Sequence, residues 1–485
     1  MDFKVLKLAF RNATMLKHIG FVLLAIVAFR MIAQVPIPFA DPMTMRQAIE
    51  NQLNASDLGS FLGLISGGAL ANMSILLVGI GPYISASIII QLFTKAIPRF
   101  EELRQDGEAG RRKINQWTRI LTVPFAVIQA VATLFVVQRG VLAANITDMS
   151  AIGLANWAVA ILAIVAGSII LMWIGELITE QGIGNGISMI IFAGIISQLP
   201  AQVATLWYTI VGSGQLNVFG WFTLPINGFG LILALGLGLI TLATLYIIIK
   251  INEAQRVLVV NYAKRVRGNS VYGGVRSILP LKLIAAGVIP VIFALAFLSL
   301  PSFVGQIMVS SDWHAEIGAK LVVWFSTPDF SALTTTMAQK WIYPAVYFAL
   351  VVAFTYFYST IVFDADEIAK NLQQQGGFID GVQPGPKTAK YLKSLLTRLN
   401  LFGSLSLGMI AMIPFFTDFG IYVITGASGT NLATSGTGLL IVATVALENI
   451  RSLSSRALMI TYDDHQNLRE RKKEQNEIKA ARSSR

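Results

Sequence analysis

The chain has 485 residues, of which 54% are hydrophobic and 13% are charged. An average soluble domain carries roughly 25% charged residues, so this composition excludes an ordinary soluble enzyme, a coiled coil and a disordered chain. The chain has no cysteine, which excludes disulfides and thiolate metal centres, and its three histidines lie far apart in the sequence. A polytopic membrane protein remains, and the net charge of +11 then has to be assigned to one side of the membrane.

Apolar segments of about 20 residues, the length that crosses a bilayer as a helix, recur along the chain. Ten such segments begin near Ile19, Met73, Thr118, Leu154, Gly186, Gly228, Leu283, Ile342, Leu395 and Ser435. The sequence therefore predicts an all-α polytopic membrane protein with ten transmembrane helices and both termini on one side. Two five-helix halves related as an inverted repeat would follow a common plan of channels and transporters, although the sequence shows no clear internal similarity.

Basic residues indicate the orientation of these spans. Of the 37 Lys and Arg residues, 32 fall on the side of the termini, in segments 1–18, 95–119, 250–282, 364–398 and 451–485. The positive-inside rule places these segments in the cytoplasm. The first apolar segment follows basic residues and could be a cleaved signal peptide. Arg30 within it and the continuation to Pro36-Ile37-Pro38 favour a permanent helix.

These features predict the domain organisation. The ranges are 1–18 for a cytoplasmic N-terminus, 19–200 for the first half with spans one to five, 201–226 for an external loop, 227–458 for the second half with spans six to ten, and 459–485 for a basic cytoplasmic tail. The second half contains two large cytoplasmic loops, 250–282 and 364–398. We expect the tail to be solvated, with binding to anionic lipids as the alternative.

One uncharged segment, residues 58–94, is too long to be a single span. Its 37 residues would form a helix of about 55 Å, whereas the hydrocarbon core is roughly 30 Å thick. Gly67-Gly68 and Asn72 favour a break, so we expect a short helix over residues 59–71 that is separate from the following span. This short helix could lie in a cavity within the protein or on the outer membrane surface.

The span that follows is predicted to start at Met73 and to be kinked at Gly81-Pro82. Two pairs of isoleucines spaced i and i+4 come directly after such breaks in the chain: Ile84 with Ile88, and Ile187 with Ile191. Isoleucine in a membrane helix usually faces lipid or packs in the interior, so the pairs only suggest a shared functional face.

The two cytoplasmic loops are larger than connectors need to be. In the first, residues 257–262 resemble a strand and precede the basic sequence Lys264-Arg265-Val266-Arg267. The second begins with acids and continues with the basic residues Lys387, Lys390, Lys393 and Arg398. Membrane topology requires only a few charges beside the helix ends, so these loops favour a docking surface for an anionic partner, either RNA or an acidic protein face.

No catalytic or metal-binding motif stands out, and we expect neither enzymatic activity nor a cofactor. Residues 381–388 resemble a phosphate-binding loop, but Pro386 replaces its second glycine. Ion-coupled transporters usually carry acids inside their spans, whereas here the acids lie in loops or at helix ends, as Glu176 and Glu448 do. This pattern favours a passive pore that is driven from outside.

Seven long motifs occur in order: SGGAL (66–70), PYISASIIIQL (82–92), GRRKINQWTR (110–119), ITEQGIGNGIS (178–188), VNYAKRVRG (260–268), AGVIPVIFA (286–294) and PGPKTAKYL (384–392). They closely resemble the SecY family, the channel subunits of the bacterial Sec protein translocase, and the resemblance covers nearly the whole chain. It implies an hourglass pore between two five-helix halves in the bacterial cytoplasmic membrane. A lateral gate between the second and third and the seventh and eighth spans would release signal sequences into lipid.

The resemblance also assigns residues. A pore ring would consist of Ile84, Ile88, Ile187, Ile191, Ile292 and Ile441. A plug over residues 59–71 would close the outer funnel, with Gly59, Phe61, Leu62, Leu64, Ile65, Gly67, Gly68 and Leu70. Partner docking would use Lys264, Arg265, Arg267, Arg276, Gln383, Lys387 and Lys390. The implied partners are SecE- and SecG-like small membrane subunits, the SecA ATPase, the ribosome, signal sequences, nascent polypeptides and anionic lipids.

The chain departs from the family pattern in its loops. Gln383 stands where an arginine typically precedes the Pro-Gly of the second loop, and Asn269 and Ser270 stand where arginines are frequent. The lost guanidinium contacts could weaken docking, or Arg276 and Lys387 could compensate. Two other functions are weighed against the channel: a small-solute secondary transporter of inverted-repeat type, and an insertase or scaffold without a continuous pore.

Overall fold

The computed structural model describes residues 13–38, 73–143, 154–211, 216–218, 222–224, 228–262, 265–267, 270–272, 276–284, 287–310, 314–328, 330, 336–425, 438–457 and 459. The predicted plug, residues 59–71, and almost all of the predicted basic tail lie outside this part of the chain. Within it, seven helices are long and apolar enough to cross a membrane.

The first half of the chain forms six helices. They are α1 (Ala13–Ile32), α2 (Gly81–Ala96), α3 (Pro98–Gln105), α4 (Gly107–Ala143), α5 (Leu154–Glu180) and α6 (Gly186–Val211). Each of the first five predicted spans coincides with one of them, whereas α3 is short and polar. The last helix continues through Pro200 to Val211, so the first residues of the predicted external loop are helical. A short hairpin of β1 (Leu216–Val218) and β2 (Phe222–Leu224) follows.

The second half begins with α7 (Gly228–Glu253) and the strands β3 (Gln255–Tyr262), β4 (Arg265–Arg267), β5 (Ser270–Tyr272) and β6 (Arg276–Lys282). It continues with α8 (Ile289–Ser310), α9 (Ala315–Trp324), α10 (Met337–Lys340), α11 (Ile342–Val362), α12 (Ala365–Gln374), β7 (Gly377–Ile379), α13 (Pro386–Thr425) and α14 (438–457). Helix α13 begins nine residues before the predicted span at Leu395, so this helix includes the end of the second cytoplasmic loop.

The two halves meet along several lines of helix packing. On one side α8 of the second half packs against α2 and α4 of the first half. Elsewhere α6 packs against α7, the helix that follows it in sequence. A large hydrophobic cluster lies between the halves and takes side chains from both. The halves therefore meet between helices consecutive in sequence, along a seam between helices distant in sequence, and where α14 contacts the turn between α5 and α6.

The segment that precedes α2 corrects one sequence prediction. Residues 73–80 form consecutive turns, and the helix begins only at Gly81 with Pro82 in its first turn. The prediction of a helix that starts at Met73 and kinks at Gly81-Pro82 was wrong. Proline lacks a backbone N–H and is well tolerated in the first turn of a helix, so here it marks a start and does not produce a kink.

Backbone hydrogen bonds tie these turns to the end of α1. The amide of Ile37 donates to the carbonyl of Met73 at 2.8 Å, and the amide of Ile75 donates to the carbonyl of Val35 at 3.0 Å. The hydroxyl of Ser74 donates to the carbonyl of Ile32 at 3.1 Å. Buried backbone groups need such partners, so these bonds to α1 satisfy backbone groups of a segment that is not helical.

Candidate pore and docking surface

The six isoleucines assigned to a pore ring lie on four helices, and those on α2, α6 and α8 are within the first eight residues of their helix. Ile84 and Ile88 are on α2, Ile187 and Ile191 on α6, Ile292 on α8 and Ile441 on α14. All six belong to the hydrophobic cluster between the halves, and we refer to them as the isoleucine cluster. Five of them are at most 7% exposed, and Ile187 is partly buried. In this conformation no wide aqueous channel passes these described side chains.

Local interactions place the start of α6, and with it Ile187 and Ile191. The side chain of Asn185 accepts a hydrogen bond from the amide of Ile187 at 3.0 Å, which caps the helix. The amide of Gly186 donates to the hydroxyl of Thr179 at 2.9 Å, and that hydroxyl donates to the carbonyl of Gly175 at 2.8 Å. The glycine-rich sequence between α5 and α6 therefore fixes where the isoleucines point.

Gly186 is required by this geometry. A Cβ atom at this position would lie 1.9 Å from the carbonyl oxygen of Gly175, far inside contact distance. The backbones of α5 and α6 approach each other closely because neither residue has a side chain there. The Gly182 and Gly184 positions have positive φ values of 71° and 120°, which glycine adopts without strain.

The predicted docking loops form one structure, which the sequence did not reveal. Strand β3 of the first loop pairs antiparallel with β6, and its other edge pairs with β7 of the second loop, giving the order β6-β3-β7. The predicted strand over residues 257–262 is confirmed and extends to Gln255. The side chain of Asn261 donates to Asp380 at 2.6 Å and strengthens the connection between the loops.

This structure has its own hydrophobic core, separate from the one between the halves. The core residues come from both loops: Leu258, Val260, Leu281, Ala365, Ala369, Leu372, Ile379, Leu392 and Leu396. The side chain of Asp364 caps α12 by accepting from the amides of Asp366 and Glu367. We call the three strands, α12 and the first three turns of α13 the sheet domain.

Of the basic residues assigned to docking, Arg276, Lys387 and Lys390 lie on this domain, whereas Arg265 and Arg267 lie on the separate two-stranded sheet of β4 and β5. Arg276 is exposed at the start of β6, and Lys387 and Lys390 are exposed on the first turns of α13. Gln383 is also exposed, and its carbonyl accepts a hydrogen bond from the hydroxyl of Thr388 at 2.8 Å. Arg265 and Arg267 lie in β4, and Lys264 and Asn269 are outside the described residues. The structure therefore brings basic positions from both loops onto one domain.

Comparison with known proteins identifies the family. The sequence model of the SecY family matches residues 74–450. The protein translocase subunit SecY of Corynebacterium glutamicum is 37% identical over 465 residues, covering 94% of this chain and 98% of the relative. A solved protein-conducting channel has a similar fold with a TM-score of 0.59 at 18% identity, covering 89% of this chain and 91% of that one.

A second similar structure is Sec61 in the canine ribosome–channel complex from the endoplasmic reticulum. It has a TM-score of 0.55 at 17% identity and covers 89% of this chain and 91% of its own. At such identities the two structures show the fold alone, which is that of the SecY and Sec61 channels. Together with the apolar helices, the sequence matches show a multi-pass membrane protein. The chain belongs to the SecY family.

Proposed function

We propose that this chain is the central subunit of the protein-conducting channel that translocates secretory proteins across the bacterial cytoplasmic membrane and inserts membrane proteins into it. The observation that carries the proposal is the isoleucine cluster, which gathers side chains from four helices between the two halves. Packed apolar side chains exclude water and ions. Because a translocating polypeptide has no fixed sequence, an apolar ring that yields around it serves better than specific polar contacts.

Two moving parts complete the proposed channel. Residues 59–71 act as a plug that closes the outer funnel at rest. A lateral gate opens along the seam where α8 packs against α2 and α4, and it releases apolar signal sequences into lipid. This seam supports the proposal because it joins helices that are far apart in sequence, so the halves can separate there while α6 and α7 stay connected.

The sheet domain is proposed as the docking surface for the partner that supplies the driving force. Exposed Arg276, Lys387 and Lys390 give it a positive face suited to ribosomal RNA or to an acidic face of a SecA-like ATPase. The ribosome-bound Sec61 structure supports the first of these partners. The chain itself serves as a passive pore. SecE- and SecG-like subunits and anionic lipids complete the assembly, with both termini in the cytoplasm.

Site-specific crosslinking tests the proposal. A photoreactive residue at position 191 is introduced into the full chain, and a stalled secretory polypeptide is engaged with the channel in membranes. Because Ile191 is buried in the isoleucine cluster, the stalled polypeptide can reach it only by passing between the halves. We expect a covalent adduct at position 191 that disappears when the polypeptide is released.

The matched control carries the photoreactive residue at position 162. Leu162 lies on α5, is 68% exposed and points away from the cluster, so no comparable adduct is expected there. A scaffold without a continuous pore would give no adduct at position 191. A small-solute transporter would likewise give none and would instead accumulate solute in liposomes under an ion gradient, without a ribosome or ATPase.

A further inference from the structure

A polar cavity of about 540 Å³ lies where the sheet domain joins the helices of the second half. Ends of several helices surround it, and three charged residues are part of its lining: Lys282, Glu448 and Arg451. Lys282 is the last residue of β6, while the other two lie on α14. The isoleucine cluster and the sheet domain thus have a charged junction between them.

Glu448 lies against the segment that connects the sheet domain to α8. Gly287 in this segment has a positive φ of 63°. A Cβ atom built on Gly287 would be 3.5 Å from Oε2 of Glu448, so the carboxylate sits directly over this backbone. Ile292 of the isoleucine cluster follows five residues later, in the first turn of α8. A displacement at Gly287 would therefore be passed to Ile292 by a short, rigid path.

The same helix α14 carries both the carboxylate and another member of the cluster. Ile441 precedes Glu448 by seven residues, which is two helical turns, so both side chains are on one face. Arg451 donates from Nη2 to the carbonyl of Asn252 at 3.0 Å, at the end of α7 just before β3. Asn252 in turn donates to the carbonyl of Ile248 at 3.2 Å. Helix α14 is thus hydrogen-bonded to the start of the first loop and lines the same cavity as Lys282 at its end.

The charges at the junction are unequal, with two cations and one carboxylate. Burial lowers the pKa of Lys282, and the nearby Arg451 guanidinium lowers it further, while Glu448 opposes the shift. The two cations therefore repel each other across the cavity, and Glu448 is the lining acid that offsets this repulsion. Like charges that lose their counter-charge in a low-dielectric site push their elements apart.

We propose that Glu448 is a positioning residue for the pore: its carboxylate holds the β6–α8 connection and α14 together, so that the isoleucine cluster stays closed until the sheet domain moves. The inference rests on the proposed channel function. A partner that pulls on the sheet domain displaces Lys282 from Glu448 and Arg451. Ile292 and Ile441 then move apart, because they are rigidly linked to the two sides of this junction.

The test uses the full chain, which is produced together with its small subunits. The host bacterium is depleted of its own SecY protein. Glu448→Gln removes the negative charge at nearly constant volume. We expect this variant to export a precursor with a defective signal sequence about fivefold or more above the unsubstituted chain, a typical coupling effect. Resting ion conductance of the purified complex in planar bilayers should rise in parallel.

Two further variants separate positioning from loss of packing. Glu448→Asp keeps the charge and should export the defective precursor less than Glu448→Gln does. Adding Lys282→Met to Glu448→Gln removes the repulsion and should bring export and conductance back toward the original values. The control is Glu316→Gln, which breaks an exposed ion pair with Lys320 on α9 and should change neither measurement.

The outcomes separate the two proposals. If the unsubstituted chain does not export a precursor with an intact signal sequence, the channel function itself fails. If the unsubstituted chain exports the intact precursor, and Glu448→Gln exports the defective precursor no better than the unsubstituted chain does, only the positioning role of Glu448 is overturned. The same holds if Lys282→Met gives no rescue. Glu448→Gln could also fail to accumulate in membranes. Normal accumulation of the Lys282→Met/Glu448→Gln double variant would then support the charge-balancing role of Glu448. Failure of the double variant to accumulate as well would overturn this role.

Discussion

The isoleucine cluster and the sheet domain differ in what holds each together. The cluster is built from residues of four helices that come from both halves, and apolar packing holds its side chains together. The sheet domain comes entirely from the second half, and strand pairing and a small core of its own hold it together. A change within the hydrophobic core of one region, away from the Glu448 junction, should therefore leave the other region intact.

A polar residue within the isoleucine cluster should have the largest effect on ion leakage and on signal selectivity. Ile441→Asn places an amide among buried isoleucines, where an unsatisfied polar group costs about 1–3 kcal/mol unless water enters. Entry of water opens the constriction, so we expect ion leakage and export of precursors with defective signal sequences. Ile84→Asn should act in the same way. Bilayer conductance and export assays measure both effects.

The control for this prediction is Ile84→Leu, which conserves volume and hydrophobicity and should cost less than about 1.5 kcal/mol. The resting ion conductance of this variant should stay at the level of the unsubstituted chain. Equal leakage from Ile84→Leu and Ile84→Asn would mean that shape, and not polarity, determines the seal. Unchanged leakage and unchanged signal selectivity in both asparagine variants would argue against a pore ring at these positions.

A methyl group at Gly186 should have the next largest effect on the pore, because it disturbs the packing of α6 against α5. Gly186→Ala brings Cβ to within 1.9 Å of the carbonyl oxygen of Gly175, so α6 must move away from α5. Overpacking of this kind typically costs 1–3 kcal/mol, and Ile187 and Ile191 should move with the helix. Thermal unfolding of the detergent-solubilised complex measures the loss. Gly420→Ala, where the added Cβ has no neighbour within 4 Å, should leave the unfolding temperature unchanged.

A cavity in the sheet domain should affect docking and spare the pore. Leu392 is completely buried in the core of the domain, and Leu→Ala changes at such sites cost about 2–5 kcal/mol. We expect Leu392→Ala to weaken binding of ribosomes while resting ion conductance stays at the original level. Tyr391→Ala, at the exposed neighbouring position, is the control. Leakage from Leu392→Ala would show that the two regions are not separable.

The smallest expected effect is a gain in ribosome affinity from a substitution at the docking surface. Gln383→Arg restores a guanidinium at an exposed position whose backbone is already held by Thr388. It should tighten ribosome binding several-fold at low salt and lose this advantage as the salt concentration rises, because exposed charges are screened. Gln374→Arg adds the same charge at the end of α12 and serves as the control. Equal gains in ribosome affinity from Gln383→Arg and Gln374→Arg would mean that added net charge, and not the position of the arginine, causes the effect.

The sequence predicted the positions of the helices well, but two spans predicted to begin near Met73 and Leu283 start as helices only at Gly81 and Ile289. Helix positions follow from runs of apolar residues, which do not depend on tertiary contacts. Residues 73–80 are apolar as well, yet they form turns, because Ser74 and the neighbouring backbone bond to the end of α1. These partners are more than thirty residues away in sequence, and no local pattern indicates them.

In the candidate site, too, local features were predicted from the sequence and contacts between distant residues were not. The i and i+4 spacing of two isoleucine pairs was visible in the sequence, whereas Ile292 and Ile441 were assigned only through the family resemblance. Residues 257–262 of β3 were predicted to form a strand, but the pairing of this strand with β7, more than one hundred residues later, was not predicted. Strand pairing depends on which edge is available after the helices have packed, and a single sequence does not record that.

By itself, the sequence determined that this protein is an all-α polytopic membrane protein, because the scarcity of charge and the apolar runs are properties of composition and local order. The tertiary structure alone decided which distant residues meet: the six isoleucines in one cluster, the two loops in one sheet domain, and Glu448 beside Gly287. The physical reason is that such contacts depend on how helices and strands pack in three dimensions, and side chains brought together in this way carry no shared signal along the chain.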